Sequence, residues 1–325
     1  MRIHLQSKPS VTNFELSRAE WDDAVGRAPD GATGHDLSFG TTPDAFASGM
    51  KDAEILVAHA AAIADGLPPA PNLKLVYATS AGLDKLAPFD WLPDGVVLLN
   101  NRGTHADKAG EYGLMALLMM VNHVPALMTA QREGRWTPQH GGVLRGNRVV
   151  VVGLGTLGGA AAHHAHAFGM HVTGVRTKAE PHPACARVVA VSEFDGVLAD
   201  ADYLYLATPL TPQTRHILNR SRIAKLPKGA SVANVGRGAL IEQDALADAL
   251  DAGHLGGAVL DVFDPEPIPP GHRLWTTPNL IITPHVSADD PATYNARSLD
   301  IFLDNLRAFR DGNALPNRFD TTRGY

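Results

Sequence analysis

Three residues of complementary chemistry follow apolar runs in the C-terminal half: Arg237 in NVGRGAL (234–240), Glu266 in LDVFDPEP (260–267) and His285 in TPHVSA (283–288). A guanidinium keeps its charge at any working pH and matches a carboxylate with two parallel N–H donors. An imidazole exchanges a proton near neutrality, and a carboxylate beside it favours the protonated ring. The set suits an anionic substrate combined with proton transfer. Each of the three segments comes after a strand-like run. In a doubly wound parallel sheet such strand ends share one edge, where ligands bind.

A second cluster lies upstream. VVVVGLGTLGGAAA (149–162) sets Gly153, Gly155 and Gly158 in GxGxxG spacing, directly after four valines and at the head of an alanine-rich segment. That context predicts a dinucleotide fingerprint. Gly153 allows the tight turn, Gly155 lets backbone approach a pyrophosphate, and Gly158 permits close packing of helix on strand. Thr156 and Leu157 complete the first turn, whose free N–H groups face the phosphates. About 20 residues beyond such a fingerprint, an acid normally holds the adenosine ribose. Here HVTGVRTKAE (171–180) offers Arg176, Thr177 and Lys178, with no acid between Met170 and Ala179. Two cations and a hydroxyl suit a 2′-phosphate, so NADP(H) is the expected cofactor and NAD(H) remains possible.

These residues need a scaffold. EILVA (54–58), KLVYA (74–78) and VVLL (96–99) read as buried parallel strands separated by Gly- and Pro-rich turns. A second array follows: RVVVV (148–152), HVTGV (171–175), RVVAV (187–191), YLYLA (203–207), SVANV (231–235), AVLDV (258–262) and LIIT (280–283). Strands alternating with helical stretches predict a parallel α/β sheet. Residues 105–124 read as one long buried helix, and 289–310 as a closing helix.

The bulk composition excludes several classes. With 325 residues, 45% hydrophobic and 19% charged, the chain is an ordinary globular one, long enough for two domains. A net charge of −6 and the lack of a long basic run argue against a nucleic-acid partner. The longest apolar stretch, around 114–128, is interrupted by Asn122, His123 and Pro125, which argues against a membrane span. One cysteine, Cys185, and an N-terminus without a signal-peptide core suggest the cytoplasm. His163, His164 and His166 share a helical stretch without evident acidic co-ligands, so no metal is expected. Trp136 and Trp275 are assigned to packing. Arg102 and His105 are candidates for a surface or hinge role, or for reaching the site.

SAGLD (80–84), the long helix with Glu111, GLGTLGGA, ATPLTPQT (207–214), NVGRGALI, LDVFDPEP and LWTTPNLIITPH (274–285) occur in one order. In this the chain resembles the D-isomer-specific 2-hydroxyacid dehydrogenases, glyoxylate/hydroxypyruvate reductases among them. The resemblance implies two Rossmann-like or flavodoxin-like doubly wound parallel-sheet domains with an active-site cleft between them. The substrate-binding domain would comprise 1–101 with 290–325, and the dinucleotide-binding domain 102–289. It further implies hydride transfer between nicotinamide and a small 2-oxo or 2-hydroxy acid, and assembly as a homodimer. Arg237 would bind the substrate carboxylate, His285 would donate the proton, and Glu266 would sustain the imidazolium. Backbone N–H groups at Ala81 and Gly82 would hold the carboxylate, with Ser80 and Tyr77 in the pocket. Thr208, Pro209 and Val235 would lie beside the cofactor, as would Arg237 and His285, and Asp261 would contact the carboxamide. A phosphoglycerate dehydrogenase-like NAD enzyme and a dinucleotide-sensing corepressor are the alternatives.

Overall fold

The computed structural model describes residues 1–8, 15–28, 34–322 and 324. They form two compact units, Met1–Thr104 with Asp290–Tyr325, and His105–Asp289. The first unit begins with β1 (Arg2–Gln6), α1 (Arg18–Arg27), β2 (Asp36–Gly40), α2 (Pro43–Met50), β3 (Ile55–Ala58), β4 (Leu75–Ala78) and β5 (Val97–Leu99). The second holds α3 (Ala106–Val121), α4 (Val124–Arg132), β6 (Arg148–Val152), α5 (Thr156–Ala167), β7 (His171–Arg176) and β8 (Arg187–Ala190). It continues with β9 (Tyr203–Leu206), α6 (Arg220–Ile223), β10 (Ser231–Asn234), α7 (Gln243–Asp251), β11 (Gly257–Leu260) and β12 (Leu280–Ile282). The chain then returns to the first unit as α8 (Tyr294–Arg310).

In the first unit five parallel strands run in the order β2-β1-β3-β4-β5. This is the doubly wound order of flavodoxin-like sheets. The apolar runs at 54–58, 74–78 and 96–99 become β3, β4 and β5. The pattern singled out neither β1 nor β2, for a physical reason. β1 buries His4 and Gln6 among its apolar residues and satisfies them internally, with His4 Nε2 3.0 Å from Gln6 Oε1 and His4 Nδ1 2.8 Å from Ser38 Oγ. β2 is an edge strand and mostly exposed. α8 places Tyr294, Ser298, Leu299, Phe302, Leu303 and Leu306 on one buried face. Phe302 packs against Trp21 of α1 and Tyr77 of β4, which ties the C-terminal residues to this unit.

In the second unit seven parallel strands run in the order β12-β11-β10-β9-β6-β7-β8. Successive valines of β6 serve opposite faces, as a strand requires. Val149 and Val151 pack with α3 and α5 residues such as Ala116 and Ala161, whereas Val150 and Val152 pack with α7 residues such as Leu246 and Leu250. Both faces are therefore covered, which is why these strands read as continuous apolar runs. Gly110 and Gly113 let α3 approach α5: a Cβ on Gly113 would stand 2.7 Å from that of Ala161.

The stretch expected as one helix is two. α3 ends at Val121, His123 takes φ +54°, and α4 starts after a bend of 66°. Pro125 in the first turn of α4 fits a new start, since its missing N–H costs nothing there. Among the described residues no single helix is long and apolar enough to cross a membrane.

Candidate active site

The candidate residues follow one row of strand ends. Val175, Val152, Leu206, Asn234, Leu260 and Ile282 are register partners across β7-β6-β9-β10-β11-β12. The ladder continues one residue further: Gly153 N–H donates to Val175 O, Ala207 to Val152, Val235 to Leu206, Asp261 to Asn234 and Thr283 to Leu260, all at 2.8–3.0 Å. Arg176, Gly153, Thr208, Pro209, Val235, Arg237, Asp261 and His285 thus leave the sheet along one edge. The strand order reverses between β6 and β9, the switch point where such sheets bind ligands.

The glycine turn opens there. Gly153 takes φ +91°, and a Cβ on it would meet Ala207 O at 2.8 Å. A Cβ on Gly158 would stand 1.8 Å from Gly153 O, so the α5–β6 crossing admits only glycine. Gly155, by contrast, would point a Cβ into open space. It is the N-cap of α5, and its own lack of a side chain leaves the first-turn N–H groups of Thr156 and Leu157 uncapped. A backbone open on one side at a helix start fits a bound pyrophosphate.

The catalytic candidates are held firmly. His285 Nδ1 lies 3.0 Å from Glu266 Oε2, and the other carboxylate oxygen accepts the Phe263 N–H at 2.8 Å. Glu266 raises the His285 pKa above its ordinary value through this hydrogen bond, against partial burial and the Arg237 charge. His285 takes φ +56°. A non-glycine residue in that region carries a cost of about 1–3 kcal/mol, so its surroundings must enforce it. Asp261 does so. Its carbonyl accepts the His285 N–H at 2.8 Å, and its fully buried carboxylate accepts the N–H groups of Val286 at 2.9 Å and Ser287 at 3.0 Å. Thr283 Oγ1 donates to the same carboxylate at 2.6 Å and accepts from Tyr112 of α3 at 2.6 Å. Arg237 sits in a turn clamped by Asn234, whose side chain donates to Arg237 O and accepts the Gly236 N–H.

A family profile described as "D-isomer specific 2-hydroxyacid dehydrogenase, NAD binding domain" matches residues 114–287. The chain belongs to the D-isomer specific 2-hydroxyacid dehydrogenases. It is thus an NAD(P)-dependent oxidoreductase of two parallel-sheet α/β units. It is similar to a D-isomer specific 2-hydroxyacid dehydrogenase from Xanthobacter autotrophicus solved with NADPH and MES: TM-score 0.82, 30% identity, 99% of each chain covered. An NADPH-dependent glyoxylate/hydroxypyruvate reductase from Sinorhizobium meliloti, solved with NADP and sulfate, aligns with TM-score 0.78 and 26% identity over 100% of this chain and 99% of that one. D-3-phosphoglycerate dehydrogenase from Mycobacterium tuberculosis is 29% identical over 88% of this chain, which spans about half (54%) of that relative's length.

Several residues of this dehydrogenase stand differently from their sequence reading. Tyr77 is no pocket residue: it is fully buried, and its hydroxyl donates to Asn101 Oδ1 at 2.5 Å and lies 3.0 Å from Ser298 O. Trp136, expected in packing, is 96% exposed within the chain. Trp275 is about half exposed, with its indole N–H on Pro269 O at 3.0 Å. In the first unit, Ser80 Oγ accepts the Ala60 N–H at 3.1 Å, Ala81 O accepts Asn100 Nδ2, and Gly82 is exposed. Arg102 donates to Pro316 O, which fits its surface reading.

Sequence reading missed Tyr112, Thr283 and Asn234 as supports, because each lies inside an element and reveals its role only through cross-chain bonds. It also stopped one residue short on the cofactor loop. Arg176 Nη2 stands 3.7 Å from Glu180 Oε2, so the acid absent before Ala179 returns from position 180. Arg176 ends β7 half-buried, while Thr177 and Lys178 are exposed. His105, at the head of α3, is buried with Nδ1 3.2 Å from Ala288 O and 3.5 Å from Asp289. Burial lowers its pKa, against the pull of Asp289, and the charges of His285 and Arg237 lower it further.

Proposed function

We propose that this protein reduces a small 2-oxo acid to the D-2-hydroxy acid with NADPH as the preferred reductant. The observation that carries the reading is the Glu266–His285 pair at 3.0 Å, at the sheet edge that also bears Arg237 and the glycine turn. The nicotinamide, when bound, supplies the hydride. Arg237 binds the substrate carboxylate and stabilises charge building on the keto oxygen. With Nδ1 engaged by Glu266, His285 passes its proton from Nε2 to that oxygen, and in oxidation it takes the proton back. The raised pKa of His285 suits a donor for reduction. Asp261 acts on this step by fixing the His285 loop, and contact with the carboxamide stays part of the proposal. The N–H groups of Ala81 and Gly82, with Ser80, are assigned to the substrate carboxylate.

The cofactor preference rests on Arg176, Thr177 and Lys178 and on the NADPH- or NADP-bound relatives from X. autotrophicus and S. meliloti. Assembly as a homodimer is supported by α3, which exposes Met115 and Leu118 beside a groove of about 450 Å³ lined by Leu114 and Met119, and by exposed Trp136 and Val143. Light scattering should then give twice the chain mass. The functional test is steady-state oxidation of NADPH and NADH with glyoxylate, hydroxypyruvate, pyruvate, bulkier 2-oxo acids and 3-phosphohydroxypyruvate. Turnover with a small 2-oxo acid and NADPH is expected. No turnover with any of them would remove the enzymatic reading.

A further inference from the structure

The loop between β7 and β8 carries an imidazole outside every role assigned so far. His182 is half-buried, and its Nε2 stands 3.3 Å from where a Cβ on Gly159 would be, over the first turns of α5. Its Nδ1 accepts the Ala184 N–H at 3.3 Å, with Cys185 Sγ 3.8 Å away. Burial pushes the Cys185 thiol up to about 11, so at neutral pH it is S–H, a weak donor to the same nitrogen. With Nδ1 accepting, the neutral ring carries its proton on Nε2, the nitrogen facing α5. The titratable groups acting on this ring are Arg176 from β7, His163 from α5 and Cys185 from its own loop. Glu180 joins them through Arg176.

In a doubly wound sheet the pyrophosphate lies at the head of the first crossover helix, and the ribose 2′ position lies at the end of the second strand. His182 neighbours both places: it covers Gly159 of α5 and is close enough to Arg176 to feel its charge. We propose that His182 Nε2–H is a further donor, with Arg176 and Lys178, to a phosphate on the ribose 2′-hydroxyl, so that discrimination for NADP over NAD strengthens as pH falls. This rests on the NADP(H) reading above.

The sign follows from charge. Burial, then the charges of Arg176 and His163, holds the free His182 below its ordinary pKa. A phosphate of charge near −2 stabilises the imidazolium, so binding takes up a proton at Nδ1. There the long 3.3 Å bond from Ala184 N–H is given up, and the new Nδ1–H turns to Cys185 Sγ, 3.8 Å away, as a weak acceptor. Affinity then grows with falling pH until the phosphate itself protonates near about pH 6. A cofactor without that phosphate takes up no such proton.

The test compares dissociation constants of NADP+ and NAD+ between about pH 6.5 and 8.5 in wild type and His182→Gln, with proton uptake read by calorimetry in two buffers of different ionisation enthalpy. Glutamine keeps an N–H donor but cannot titrate. In wild type the NADP+ preference should grow about 5- to 10-fold from the alkaline to the acid end. In His182→Gln that growth and the proton uptake should vanish, with NAD+ affinity unchanged as the check on folding. Discrimination in wild type with a pH dependence and proton uptake that survive in His182→Gln would overturn the role of His182 alone. No discrimination in wild type at any pH would overturn the cofactor reading and this inference with it.

Discussion

Two stretches of one sheet edge are built by opposite rules. Around His285 the groups that fix its geometry are committed: the Asp261 carboxylate accepts from two backbone N–H groups and a hydroxyl, and Glu266 divides its oxygens between His285 and Phe263. Around Arg176 the groups are exposed or half-exposed, and Arg176 meets Glu180 in a loose 3.7 Å ion pair. Proton transfer tolerates little misplacement, so its donor is fixed by many bonds before substrate arrives. Recognition of a phosphate by cations needs charge more than exact geometry, and a solvated loop can supply it. The first region should therefore respond steeply to single changes, and the second gently and selectively.

The sharpest break is His285→Ala. It should lower kcat about 10³-fold while leaving the NADPH dissociation constant within about twofold, read by steady-state kinetics and cofactor fluorescence. Next comes Asp261→Asn, which puts an amide N–H₂ against backbone N–H groups. A loss of about 2 kcal/mol in stability and roughly tenfold in kcat is expected, by thermal unfolding and kinetics. An unchanged kcat would show that the left-handed His285 backbone does not depend on that carboxylate. In the other region Arg176→Asp should raise the KM for NADPH roughly 30-fold and that for NADH no more than about 3-fold. Equal effects would show that Arg176 does not read the phosphate. The smallest effect is expected of Glu180→Gln, which frees Arg176 from a weak exposed pair and should improve NADPH binding by about twofold.

The two regions also differ in how far the sequence reveals them. Gly153, Gly155 and Gly158 were legible because their spacing falls between a run of four valines and an alanine-rich segment, the context of a strand–turn–helix, and Arg237, Glu266 and His285 because each follows an apolar run. What the sequence hid is what depends on folding back. Glu180 meets Arg176 one helical turn's distance along a loop, Asp261 meets residues 283–287 across neighbouring strands, and Tyr112 reaches Thr283 from another element. The break of the 105–124 segment at His123 was marked by Pro125, yet its apolar content read as continuous. β1 escaped because its polar residues, His4 and Gln6, are buried and paired with each other. Trp136 shows the reverse case: a large apolar side chain read as packing has no place in the chain's own core.

The measurement closest to the centre of the account is the pH profile of kcat/KM for 2-oxo acid reduction in wild type and Glu266→Gln. Reduction needs protonated His285, so the rate should hold at low pH and fall as pH rises through the His285 pKa, which Glu266 raises. Removing the carboxylate charge should move that falling limb to lower pH and leave NADPH affinity unchanged. A limb at the same pH in both proteins would contradict the assignment of the Glu266–His285 pair as the proton donor.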